Sequence, residues 1–180
     1  MNKSIDISNT VIHTQRLLLR PWKPSDLQDF YEYASVDGVG QMAGWLPHKR
    51  MEESAAILNM FIEGRHTFAI EHDGKLIGSL GVDEYDEDEF PEFTDQCGRE
   101  IGYVLAKPHW GKGLMPEALN AVTEHLFKQY GLDFLLCCHF TDNEQSRRVQ
   151  EKCGFRHYKL IQSETRYGLI KDTWASVLYR

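Results

Sequence analysis

The stretch from Glu100 to Cys138 constrains this chain more than any other. It reads as an apolar strand, a glycine turn, a helix and a second apolar strand. The first strand is Glu100-Ile101-Gly102-Tyr103-Val104-Leu105, broken by Pro108, and the turn is Trp110-Gly111-Lys112-Gly113. Leu114, Ala118, Leu119, Val122, Leu126 and Phe127 then fall at helical spacing, and Tyr130-Gly131 ends the helix before Phe134-Leu135-Leu136-Cys137-Cys138. A strand, a crossing helix and a further strand make one parallel pair, because the crossover returns the chain in the same direction.

The flanking segments are of another kind. Thr67–Glu71 and Leu76–Leu80 are strand-like runs joined at Asp73-Gly74, a strong hairpin signal. Val11–Arg20 reads as a first strand, stopped by Pro21 and Pro24. Ser25 or Asp26 then caps a helix carrying Leu27, Phe30, Tyr31 and Ala34. A second helix spans Met51–Ile62 with Gly64 as its stop, a third spans Asn143–Cys153, and two strands follow near His157–Gln162 and Thr173–Tyr179. The order β-α-α-β-β-β-α-β-α-β-β predicts an α/β (α+β) fold, a mixed and mostly antiparallel central sheet with one parallel pair and flanking helices.

A length of 180 residues suits a single domain over 1–180, its core from about residue 11. No apolar run approaches the roughly 20 residues that cross a bilayer, and the N-terminus lacks a signal pattern. A cytoplasmic chain without a membrane partner is expected. Cys97, Cys137, Cys138 and Cys153 form no CxxC pair, so no metal site is expected and the thiols read as reduced and buried. A formal net charge of −7 argues against nucleic acid as a partner. It does not argue against one anion held locally by backbone amides.

The glycine turn has that capacity. A helix start offers unpaired N–H groups and the positive end of the helix dipole, and Gly111 and Gly113 let the backbone approach an anion closely. Lys112 adds a positive charge, and Pro116 fits the first helical turn. A nucleotide P-loop would need GxxxxGK[ST], and a dinucleotide fingerprint a third glycine where Pro116 stands.

Four segments together resemble the GNAT acetyltransferase superfamily, most closely the branch that includes ribosomal-protein N-terminal alanine acetyltransferases. They are Thr14–Arg20, Glu100–Leu105, Trp110–Leu119 and Asp142–Phe155. The resemblance runs from about Thr14 to Tyr179 and implies an acetyl-CoA-dependent N-acetyltransferase whose parallel strands splay apart around the cofactor. It implies that Tyr103, Val104 and Leu105 offer backbone groups to the pantetheine arm and acetyl group. Gly111, Lys112, Gly113, Leu114 and Met115 would give amides to the pyrophosphate, and Asn143 would hydrogen-bond the pantetheine. Acetyl would pass to a primary amine by direct attack in a ternary complex.

The chain departs from the wider family where chemistry is at stake. Gln150 stands where many members carry a general-acid Tyr, and Cys138 where some carry a Glu base. The resemblance then leaves Glu100 as candidate base and Ser146, three residues after Asn143, as candidate acid for the thiolate. His139 is a weaker catalytic candidate, Trp45 a candidate acceptor contact, and the run Asp83–Glu89 either a solvated loop or an attractor of cationic acceptors. The acceptor stays open between a protein N-terminus and a small amine, and the state between monomer and homodimer. The alternative function is a non-catalytic acetyl-CoA-binding regulatory module.

Overall fold

In the computed structural model, which describes residues 1–180, the elements run β1 (Ile12–His13), β2 (Leu18–Arg20), α1 (Leu27–Ala34), α2 (Met51–Gly64), β3 (Thr67–His72), β4 (Lys75–Asp83), β5 (Gly98–Leu105), α3 (Leu114–Tyr130), β6 (Phe134–Phe140), α4 (Glu144–Lys152), β7 (Arg156–Glu164) and β8 (Ile170–Tyr179). One eight-stranded sheet holds all strands in the order β1-β2-β3-β4-β5-β6-β8-β7. Every pairing is antiparallel except β5 with β6. This is the mixed, mostly antiparallel sheet that the element order predicts. No helix is long and apolar enough to cross a membrane.

Alternation along the strands sends side chains to two faces. From β3, Phe68 and Ile70 join the α3 side with Leu114, Leu119, Val122 and Leu126. Ala69, between them, joins Phe30, Tyr33 and Leu58 of α1 and α2 on the other side. Beyond β5, that second face is covered by the loop after β4, whose Tyr85, Phe90 and Phe93 pack on Phe134 and Leu136. Phe93 stacks on Phe134 with ring centroids 4.2 Å apart.

Three local expectations change. The first strand is two short ones, because Thr14 turns the chain: its N–H donates to the Leu17 carbonyl at 2.9 Å, and its Oγ1 accepts the Leu17 N–H at 2.9 Å. Asp26 does not cap α1. Its carboxylate accepts the Lys23 N–H and both terminal nitrogens of Arg20, each oxygen 2.8 Å from Arg20. Gly64 lies within α2, and Arg65, at φ 56°, is the left-handed residue that closes it. The Asp73-Gly74 hairpin forms as read, with both residues at positive φ (51° and 77°).

Candidate active site

β5 and β6 pair from Gly98↔Phe134 to Ile101↔Cys137 and then part. Past that point Gly102–Leu105 have β4 as their only strand neighbour, and Cys138–Phe140 have only β8. Two strand edges therefore face one another without a shared ladder. Between them opens a cavity of about 700 Å³, lined by Gly111 and Gly113–Pro116 from the turn and α3, and by Met42–Gly44, Ser163, Glu164 and Arg166 from the elements across it. The indole Nε1 of Trp110 donates to the Leu105 carbonyl at 2.6 Å, which ties the free end of β5 to the turn that follows.

That turn is shaped by its glycines. Gly111 and Gly113 lie at φ 72° and 75°, left-handed conformations that a side chain resists. In this geometry the amides of Gly111, Lys112, Gly113, Leu114 and Met115 donate to no acceptor of the protein. Five adjacent donors at the start of a 17-residue helix make a site for a multivalent anion.

A clamp from the N-terminal hairpin holds the turn in place. Glu117, in the first turn of α3, accepts from Thr14 Oγ1 at 2.6 Å, from the Arg16 N–H at 2.8 Å and from Arg16 Nε at 2.7 Å. Arg16 Nη1 reaches on to the Lys112 carbonyl at 2.9 Å. Burial works against the Glu117 charge, but the hydrogen bonds from Thr14 and Arg16 outweigh it and hold the carboxyl below its ordinary range. Arg16 escaped the sequence reading as a site residue, since its contact with the turn lies about a hundred positions away. Neither Lys112 nor Arg16 lines the cavity: Arg16 braces the turn from outside, and the cations on the lining are Arg148, Lys152 and Arg166.

The remaining candidates meet in the same cavity: Glu100, Tyr103, Val104, Leu105, Leu114, Met115, Asn143 and Ser146 all line it, with Cys138 and His139. Glu100 opens the splay, opposite Asp83 on β4. Burial pushes its carboxyl above the ordinary range. The Cys138 thiol pulls it down, and the charges of Asp83 and Asp86 push it further up. Cys138 is itself pushed well above the usual thiol range, first by burial and then by Glu100, so it stands there as a neutral thiol.

Asn143 caps α4: its Oδ1 accepts the Ser146 N–H at 3.1 Å, and its Nδ2 donates to the Met42 carbonyl at 3.2 Å across the cavity. The Ser146 hydroxyl lies 2.8 Å from the Tyr103 hydroxyl, and Gln150 Nε2 donates to it at 3.3 Å. Behind Gln150, its Oε1 is 2.9 Å from His139 Nδ1. Burial lowers the His139 imidazole below its ordinary range, against the opposing bond from Gln150, so the ring is neutral at pH 7.

One expectation at the acceptor side is corrected. Trp45 does not line the cavity. It packs between His48, 5.2 Å away, and the bare face of Gly40, where any Cβ would lie 2.1 Å from the indole. The acidic run leaves Asp83, Glu84 and Asp86–Asp88 exposed and bonds mostly within its own neighbourhood. Asp86 accepts the Asp88 and Glu89 amides, Glu87 accepts from Asn2, and Glu89 pairs with Lys159 at 2.9 Å. Residues that sequence reasoning did not single out complete the lining: Val39, Phe140, Thr173, Ser163 and Glu164 at the end of β7, and Arg166, whose N–H donates to the Gly44 carbonyl at 2.8 Å.

Known proteins resemble this chain in sequence and in fold. The sequence pattern of the acetyltransferase (GNAT) domain matches residues 16–156. The uncharacterized N-acetyltransferase YoaA of Bacillus subtilis (strain 168) is 28% identical over 160 residues, which cover 81% of this chain and 82% of YoaA. Among solved structures, the microcin C7 self-immunity acetyltransferase MccE, in complex with acetyl-CoA and AMP, superposes with a TM-score of 0.79. It is 15% identical, with 98% of this chain and 100% of that one covered. An acetyltransferase from Salmonella typhimurium that modifies the N-terminal serine of ribosomal protein L7/L12 gives 0.78 at 17% identity, covering 94% of this chain and 99% of that one. With the splayed strands, the unpartnered amides at α3 and the domain match over most of its length, this chain belongs to the GNAT acetyltransferase family.

Proposed function

We propose that this chain moves the acetyl group of acetyl-CoA to a primary amine by direct attack within a ternary complex. One observation carries the reading: five unpartnered amides at the start of α3 stand beside a cavity formed by two parted strands. The amides of Gly111–Met115 suit a pyrophosphate, and the free edge of Gly102–Leu105 suits the pantetheine arm and the acyl oxygen. An amide on that edge would stabilise the tetrahedral intermediate's oxyanion. MccE, with acetyl-CoA bound in a similar fold, supports this choice of cosubstrate.

The residues divide the proton traffic. The acceptor arrives mostly as an ammonium and must lose a proton before its nitrogen can attack. Glu100, raised by burial, accepts that proton. When the C–S bond breaks, its electron pair stays on sulfur, and the Ser146 hydroxyl donates to it. The proton given to Glu100 before attack passes to solvent. After attack the nitrogen loses a second proton, which balances the one that the thiolate finally takes up. Ammonium and acetyl-CoA thus yield amide, CoA thiol and one free proton. Relatives in fold act on a ribosomal-protein N-terminus or in microcin immunity, so a protein N-terminus and a small amine both remain acceptors of the right chemistry. The test is release of free CoA thiol from acetyl-CoA, with N-terminal peptides, aminoglycosides and polyamines offered in turn. Acceptor-dependent release is expected. Tight acetyl-CoA binding without release from any amine would replace the enzyme by a regulatory binding module.

A further inference from the structure

Gln150 stands where many family members carry a tyrosine, and its own role can be read from the hydrogen bonds around it. Gln150 is 1% exposed and His139 4%, so their polar atoms depend on partners inside the protein. Gln150 lies between Ser146 Oγ at 3.3 Å and His139 Nδ1 at 2.9 Å, while His139 Nε2 has no partner. Two arrangements of protons fit these positions. In one, His139 carries its proton on Nδ1 and donates to Gln150 Oε1, and Gln150 Nε2–H donates to Ser146. What stays bare is a lone pair on His139 Nε2. In the other the amide is turned over, Ser146 donates to Gln150, and a buried N–H of His139 is left without an acceptor. Orphaned buried donors are the rarer of the two defects, which selects the first arrangement.

The choice has a consequence at Ser146. Its oxygen receives Gln150 Nε2–H on one lone pair. The Tyr103 hydroxyl lies 2.8 Å from Ser146 Oγ and 3.2 Å from the Ser146 carbonyl. It belongs to a phenol, a stronger acid than an alcohol, and donates to the nearer oxygen, on the other lone pair of Oγ. The proton of Ser146 is then left without an acceptor in the cluster. We propose that Gln150 and Tyr103 are positioning residues that turn the Ser146 hydroxyl proton into the cavity, toward the departing sulfur, and that His139 sets the orientation of Gln150. This rests on the reading of Ser146 as the donor to the thiolate.

The wild-type protein tests it first. Nitrogen-15 NMR of His139 at neutral pH is expected to show the proton on Nδ1; a proton on Nε2 would overturn the proposal. Variants then separate it from the reading beneath it. Gln150→Met should lower kcat about as far as Ser146→Ala, on the order of 100-fold, with acetyl-CoA Kd unchanged and no further loss when the two are combined. In Gln150→Glu the new carboxyl donates while protonated and captures the serine proton once ionised. Its kcat should therefore fall with rising pH along a limb that the wild type lacks. Full kcat in Ser146→Ala overturns the donor role of Ser146 and this inference together. A loss in Ser146→Ala with none in Gln150→Met overturns the inference alone. Tyr103→Phe should also slow the reaction, and a faster Tyr103→Phe would mean that Tyr103 was taking the serine proton rather than freeing it.

Discussion

Glu100 meets opposed demands on one carboxyl. Burial and the charges of Asp83 and Asp86 favour its neutral form, while the amine needs it ionised. Its folded-state pKa is raised above that of the unfolded chain, so the charge costs stability at neutral pH. That cost is relieved as pH falls through the raised value, and is gone below the ordinary glutamate range near about 4. Glu100→Gln should thus melt no lower than wild type at pH 7, with the difference shrinking toward acid pH. Its kcat/KM should fall by roughly 100-fold. Thermal scans and thiol-release rates across pH check both, and full activity in Glu100→Gln would remove Glu100 as the base. In the sequence Glu100 stood out only through family resemblance. Nothing in the sequence around it tells that Cys138 and Asp83 flank it, since those neighbours come from β6 and β4. The hydroxyl of Tyr103 was hidden in the same way: its partner Ser146 is 43 positions on, brought close by the crossover.

At the scale of elements, strong punctuation was legible and weak punctuation was not. Asp73-Gly74 and the strand–turn–helix unit announced themselves, because glycine or proline stands wherever the backbone turns. The break after His13 did not, since a threonine side chain makes it. The end of α2 was misplaced by one residue because Arg65 takes a conformation normally left to glycine. The partnership of the N-terminal hairpin with α3 is likewise invisible in one dimension, yet it supports the cofactor turn. Arg16→Met should leave Glu117 half-satisfied and the Lys112 carbonyl free, loosening the turn. Acetyl-CoA Kd is expected to rise about five- to tenfold, on the order of 1 kcal/mol, with little change in kcat. Calorimetric titration measures it, and an unchanged Kd would show that the turn holds its shape without the clamp.

For the whole molecule, the sheet's one parallel pair was legible because a helix of 17 residues must cross over it. The point at which that pair parts was not. It depends on what fills the gap: Tyr103 reaching to α4 from one side, and the Gly40–Ala43 turn resting against β5 and β6 on the other. The bond from Asn143 to the Met42 carbonyl joins these two sides. If the pantetheine arm takes the Asn143 amide, that bond is surrendered, and the wall facing the acceptor is released only after the first substrate is in place. The kinetic consequence is a compulsory order, acetyl-CoA before amine. The product CoA should then compete with acetyl-CoA and act non-competitively toward the amine. Replacing Asn143 by Ala should weaken the order into random addition, seen as productive acceptor binding to the free enzyme.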